Sequence, residues 1–220
     1  MTESLLNNEK CFLAQPAWQA VFYSLVVSHP SEISNRSETA VSLLILKSRV
    51  SALFADITAA VCNPRAYGVS QLNFLVSLAS ELRTDLLQWR SSYERLLAYT
   101  PIPCVSTVDY NKRCEIMSTY ISCSMIVNRL LIAICFNSPE NVRLEEETQH
   151  LAKQMISLEM QVKDICPHTR LFLAQTVFVA RATIASAEDW VAESTGSPVG
   201  TVIEKWRFER WCGLFGRKVS

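Results

Sequence analysis

Between Met117 and Phe136 the chain reads Met-Ser-Thr-Tyr-Ile-Ser-Cys-Ser-Met-Ile-Val-Asn-Arg-Leu-Leu-Ile-Ala-Ile-Cys-Phe, with Arg129 as its single charge. A helix of this composition is apolar on nearly every side and needs partners all round, which leaves the middle of a bundle or a bilayer as its home. Asn128 and Arg129 stand past the midpoint, where hydrocarbon penalises them, and Ser118, Thr119, Ser122 and Ser124 crowd the first half. No second apolar run reaches spanning length. The stretch therefore reads as the buried central helix of a bundle, running from about Asp109 to Phe136, with no membrane expected.

The rest of the chain has to wrap that helix. Hydrophobic residues make up 49% of the sequence and there are only five glycines, which disfavours tight-turned sheets and phosphate-cradling loops and points to an all-α chain. At 220 residues a single helical domain is expected over 1–220, with 1–36 as an N-terminal arm and short helix and 37–220 as the helical core. Ser37 is a plausible helix start, and Leu43, Leu46, Val50, Leu53, Ile57 and Val61 then step by threes and fours toward a stop near Asn63-Pro64. With Ser70 as cap, Leu72, Leu75, Ala79, Leu82, Leu86, Trp89, Tyr93 and Leu96 form the most regular stripe in the chain, and Arg90 and Glu94 can pair on its outer face.

Beyond the central helix, Ser138-Pro139 marks a restart, followed by Glu145, Glu146 and Glu147 in early turns and by Leu144, Leu151, Met155, Leu158, Val162 and Ile165 on one side. Residues Arg170 to Glu193 read as one further buried helix, and Ser197-Pro198 opens a terminal amphipathic helix ending near Gly213 and Gly216.

Twenty-one basic and twenty-one acidic residues cancel, so the chain has no overall charge to attract nucleic acid. Its eight cysteines are scattered through apolar runs with no Cys-x-x-Cys pair, which reads as reduced, buried thiols in an intracellular protein. Glu147-x-x-His150 has the spacing of a di-iron carboxylate half-site, but the required second copy is absent. Cys166 and His168 are close in sequence without a visible third group to orient them. No catalytic residue, metal ligand or cofactor is assigned, and a non-enzymatic chain is expected.

Two features bear on partners. Arg129 either pairs with a buried carboxylate beside a ligand cavity or reaches the end of its helix and snorkels. The tail from Lys205 to Lys218 interleaves basic and aromatic residues, a pattern that suits nucleic acid or an acidic partner; docking of its rings onto the bundle is the stronger reading because so much aromatic area is costly to expose. Arg129, Trp206, Arg207, Arg210 and Trp211 are the candidate partner or ligand contacts.

Leu144–Met155 and the closing Ile203–Lys218, together with Pro16-Ala17-Trp18-Gln19 and Leu86–Trp89, resemble the C-terminal part of fungal transcription factors of the binuclear zinc cluster class. The resemblance implies an all-helical regulatory region, a nuclear location, and contact with a full-length regulator or with a second copy, with a small-molecule effector as a further possibility. The six closely spaced cysteines of that family's DNA-binding module have no counterpart here, so direct DNA binding is not implied. The alternative is a helical enzyme or small-molecule-binding accessory protein of a fungal secondary-metabolite pathway, with a cavity beside the central helix.

Overall fold

A computed structural model describes residues 6–7, 10–27, 36–99, 107–135, 139–165, 169–191 and 205–219. Within them the chain forms eight α-helices and no strand: α1 (Pro16–Val27), α2 (Arg36–Cys62), α3 (Val69–Tyr99), α4 (Thr107–Ile134), α5 (Asn141–Ile165), α6 (Thr169–Ala185), α7 (Ala187–Val191) and α8 (Lys205–Leu214). One-turn 3-10 helices at Phe12–Ala14 and Pro64–Ala66 precede α1 and α3.

The apolar α4 is the axis of the bundle, packed by α2, α3, α5 and α6. Every side chain from Tyr120 to Ala133 is buried. By length and composition Tyr110–Ile134 would suffice to cross a membrane, yet 83% of its apolar window lies inside the bundle. Burial against protein satisfies the same need that lipid would.

The stripes pack as their periods require. Leu43, Leu46, Val50, Leu53, Ile57 and Val61 of α2 are all buried, as are Leu75, Ala79, Leu82, Leu86, Trp89 and Tyr93 of α3. Trp89 stacks on Tyr93 at 5.1 Å and on Tyr120 of α4 at 5.6 Å, and its indole N–H donates to the Thr39 carbonyl at 3.0 Å. The Arg90–Glu94 pair forms on the outer side of α3 at 2.6 Å.

Helix boundaries depart from expectation: α2 already includes Arg36 before Ser37, α4 runs Thr107–Ile134 instead of Asp109 to Phe136, and three other places differ for identifiable reasons. The start of α3 is capped from Gly68, not Ser70: the Gly68 N–H donates to Gln71 Oε1 at 2.9 Å, so a side chain three residues ahead reaches back to the free amide. Ser138 lies outside the described residues, and α5 begins at Asn141, whose Nδ2 donates to the Cys135 carbonyl at 3.0 Å and ties the new helix to the end of α4. The single helix expected over Arg170 to Glu193 is broken by a turn at Ser186, where the hydroxyl donates to the Ala182 carbonyl at 2.9 Å. That helix is also less buried than expected. Phe178 and Ile184 face outward, because α4, α5 and α8 cover only part of α6.

Candidate functional site

The break at Ser186 has a local consequence, since it lets α7 fold Trp190 back over the interior. The Arg129 guanidinium lies 4.4 Å from the Trp190 ring, with its Nη1 and Nη2 donating to the two carboxylate oxygens of Glu145, the second at 2.9 Å. Nη2 also donates to the Thr183 carbonyl at 3.3 Å, and Gln149 Nε2 bridges Glu145 Oε1 at 2.7 Å and the same carbonyl at 2.9 Å. Arg129 is fully buried and Glu145 nearly so.

This arrangement decides between the two readings of Arg129. It does not snorkel; it forms a forked ion pair with Glu145, bordered by Gln149, Thr183 and Trp190, while its Nε is buried without a hydrogen-bond partner among the described residues. Burial pulls the guanidinium down to about 10 against the support of Glu145, which leaves it charged at neutral pH. Burial likewise pushes the Glu145 carboxyl above its usual range, with Arg129 and Gln149 opposing the rise. Glu145 is therefore no dipole partner in a first helical turn but the counter-ion of the central helix. It lies sixteen residues from Arg129, so no local spacing rule connects the two.

A second polar bridge crosses the same helices nearer the surface. Arg83 of α3 pairs with Glu147 of α5 and donates through Nε to Asn128 Oδ1 at 3.1 Å. Glu147 is thus committed to an arginine, while the exposed His150 bonds Gln154 at 2.8 Å. Among the described residues no group of three or more His, Cys, Asp or Glu side chains converges as a metal site would require. The Cys166–His168 pair lies outside the described residues.

Alongside α4, a cleft of about 20 Å³ opens between Lys47, Val50, Thr119, Cys123, Gln175 and Val179. It has room for about one water molecule, far below the several hundred Å³ of a substrate site. Cys123 lines it, and burial pushes that thiol up to about 12, well away from the thiolate a nucleophile needs. Burial pushes the Cys212 thiol up as well.

At the C-terminal end, α8 divides its aromatic and basic residues between two faces. Phe208, Trp211 and Phe215 turn inward around Phe54, with Trp211 stacked on it at 5.7 Å and donating its indole N–H to Thr183 Oγ1 at 3.2 Å. Arg207 is buried too, and Arg217 lies 3.7 Å from the centre of the Phe54 ring while donating to Thr58 Oγ1 at 3.1 Å. The outward face carries Lys205, Trp206, Arg210 and Leu214. Trp206 keeps 52% of its surface exposed, and Arg210 reaches Asp189 of α7 at 2.9 Å.

The five candidate residues consequently fall into separate places. Arg129 belongs to the interior, Arg207 and Trp211 to the dock between α8 and the bundle, and Trp206 and Arg210 to the surface. Glu145, Gln149, Thr183 and Trp190 complete the interior cluster and escaped the sequence reading; the acidic run beside an unpaired buried arginine was the one available hint. Comparison with protein-family models, with curated proteins and with solved structures finds no match.

Proposed function

We propose that the chain is a non-enzymatic helical regulatory protein of the kind that follows the zinc cluster in fungal transcription factors, working in the nucleus through contacts with another protein. The observation that carries this reading is the division of α8. Its inner face buries Phe208 and Trp211, with Phe215 just past its end buried beside them, while its outer face holds Trp206 in solvent beside Arg210 and Leu214. Exposed tryptophan next to arginine, on a helix docked through buried rings, is the composition of an interface anchor. The Trp206 ring meets the Arg207 guanidinium at 5.4 Å, yet about half of its surface stays in water, where a partner could cover it.

The interior supports the same reading. Arg129 and Glu145 are occupied by each other, and Cys123 is held protonated, so these groups stabilise or specify the fold instead of offering a reactive centre.

Affinity purification of the tagged chain from its source cells tests the proposal. Recovery of a full-length zinc cluster regulator, lost on Trp206→Ala/Arg210→Ala while the helical circular dichroism is unchanged, is the expected result. Recovery that is insensitive to both substitutions refutes α8 as the contact, and turnover of a co-purified metabolite by the chain refutes the non-enzymatic reading.

A further inference from the structure

Away from both clusters, the Phe12–Ala14 turn, α1, α2 and α3 border an open groove of about 470 Å³, a volume suited to a small organic molecule. Leu53 and Leu78 give it an apolar floor, and Gln19, Arg49, Asp56 and Glu81 stand along it. The polar edge determines what can enter.

Gln19 has spent its amide hydrogens, donating through Nε2 to the Leu13 carbonyl at 2.6 Å and to Ser48 Oγ at 2.9 Å, so what it has left to offer is its carbonyl oxygen. Arg49 is engaged twice, through Nη1 with Asp85 at 2.6 Å and through Nη2 with Glu81 at 3.1 Å. Asp56 is paired at 2.7 Å with Lys10, a side chain 64% exposed that does not line the groove. An exposed pair of that kind contributes about 0–1 kcal/mol and is readily exchanged. The lining thus sets two carboxylates and a carbonyl oxygen against one guanidinium; Glu81 shares that guanidinium with Asp85, and Asp56 is held only by the exposed Lys10, so acceptors outnumber the donors along the groove.

We propose that this groove binds a small amphipathic organic amine, with its ammonium group along the Asp56 and Glu81 edge and its apolar body over Leu53 and Leu78. An ammonium supplies donors where the groove supplies acceptors, and it adds a cation to a lining with an excess of negative charge. A carboxylate of the same shape would have to win Arg49 from two acids and then face Asp56. The apolar floor sets the other half of the specificity, because an amine without a hydrocarbon body gains only a solvent-exposed ion pair.

Calorimetric titration of the full chain at neutral pH with n-octylamine, n-octanoate and n-octanol, each below its aggregation concentration, tests this. The expected outcome is one saturable site for octylammonium, with octanoate weaker by at least about tenfold, the equivalent of one charge-assisted contact. The exposed pair of substitutions Asp56→Asn/Glu81→Gln should weaken the amine by about tenfold or more with the circular dichroism and unfolding midpoint preserved. Ala52→Phe, which fills the groove from α2, should do the same. Absence of saturable binding, equal binding of octanoate, or amine binding that survives Asp56→Asn/Glu81→Gln overturns the proposal. The titration uses the chain alone, so its result is independent of whether a protein partner is found at α8.

Discussion

Arg129 and Glu145 show what an ionised pair does inside a helix bundle. Arg129 has left water completely and Glu145 almost so, and each is held in the interior by its forked contact with the other. The directions of their shifts give the sign. A carboxyl raised in the fold contributes favourably below its unfolded pKa and loses that contribution as pH rises through the raised value; a guanidinium lowered to about 10 contributes favourably above its unfolded pKa and loses it as pH falls through about 10. At neutral pH the guanidinium is on its costly side, and the raised carboxyl adds a cost of the same kind as pH rises through its folded value. Breaking the pair is nonetheless worse than keeping it: Arg129→Met or Glu145→Met alone should lower stability in urea by about 3–5 kcal/mol, whereas the double substitution should return to within about 1 kcal/mol of the parent or exceed it. Near-additive losses in the double variant would contradict the pairing. Thiol chemistry gives a second check at this scale. With Cys123 pushed up to about 12, raising the pH from 7 to 9 should leave it unmodified by iodoacetamide in the folded chain, as peptide mapping would show, while denaturation exposes it to labelling.

Among the elements, α8 gives the sharpest contrast. Trp211→Ala removes a fully buried ring with a hydrogen bond to Thr183 and should cost about 3–5 kcal/mol, while Trp206→Ala five residues earlier should change stability by no more than about 0.5 kcal/mol. Urea denaturation of the two variants measures both. Just past the helix, Gly216 takes φ 81°, which lets the Arg217 N–H return to the Cys212 carbonyl at 3.0 Å. A side chain is strained in that conformation, so Gly216→Ala should cost about 1–2 kcal/mol by the same measurement. The long helices α3 and α5 were legible in the sequence because each buries a stripe with a regular period and leaves most intervening residues wet; α2 carries such a stripe too, but it also buries Ser48, Ser51, Phe54 and Thr58 between those positions, which its period did not announce. The end of α6 was not legible. The sequence runs through Ser186 without a proline or glycine, and the turn there goes with the Ser186 hydroxyl bond to the Ala182 carbonyl and with the contact of Trp190 on Arg129, neither of which a period reveals. The start of α3 was misplaced by two residues for a similar reason: a glutamine side chain, not a serine, satisfies the free amide.

At the level of the whole molecule, one connected hydrophobic core joins α2 through α8 around the central helix. Its formation depends on side-chain packing and internal ion pairs among the described residues, so incubation with a strong zinc chelator should leave the helical circular dichroism and the urea midpoint unchanged; a drop in either would reveal a structural metal. The all-helical class and the buried central segment could be argued from composition and period alone. The candidate contacts could not, since Arg207 and Trp211 differ from Trp206 and Arg210 only in which way a short helix turns, and that orientation is set by Phe54 and Thr183 far away in the chain. The buried Arg129–Glu145 couple also carries a warning for anyone tracing descent. A lineage can discard it only by passing through an intermediate that has lost one member and much of its stability, so the two residues would be inherited together whether or not any ligand or partner ever touched them. Their shared persistence in related chains would record the difficulty of leaving, not a task performed.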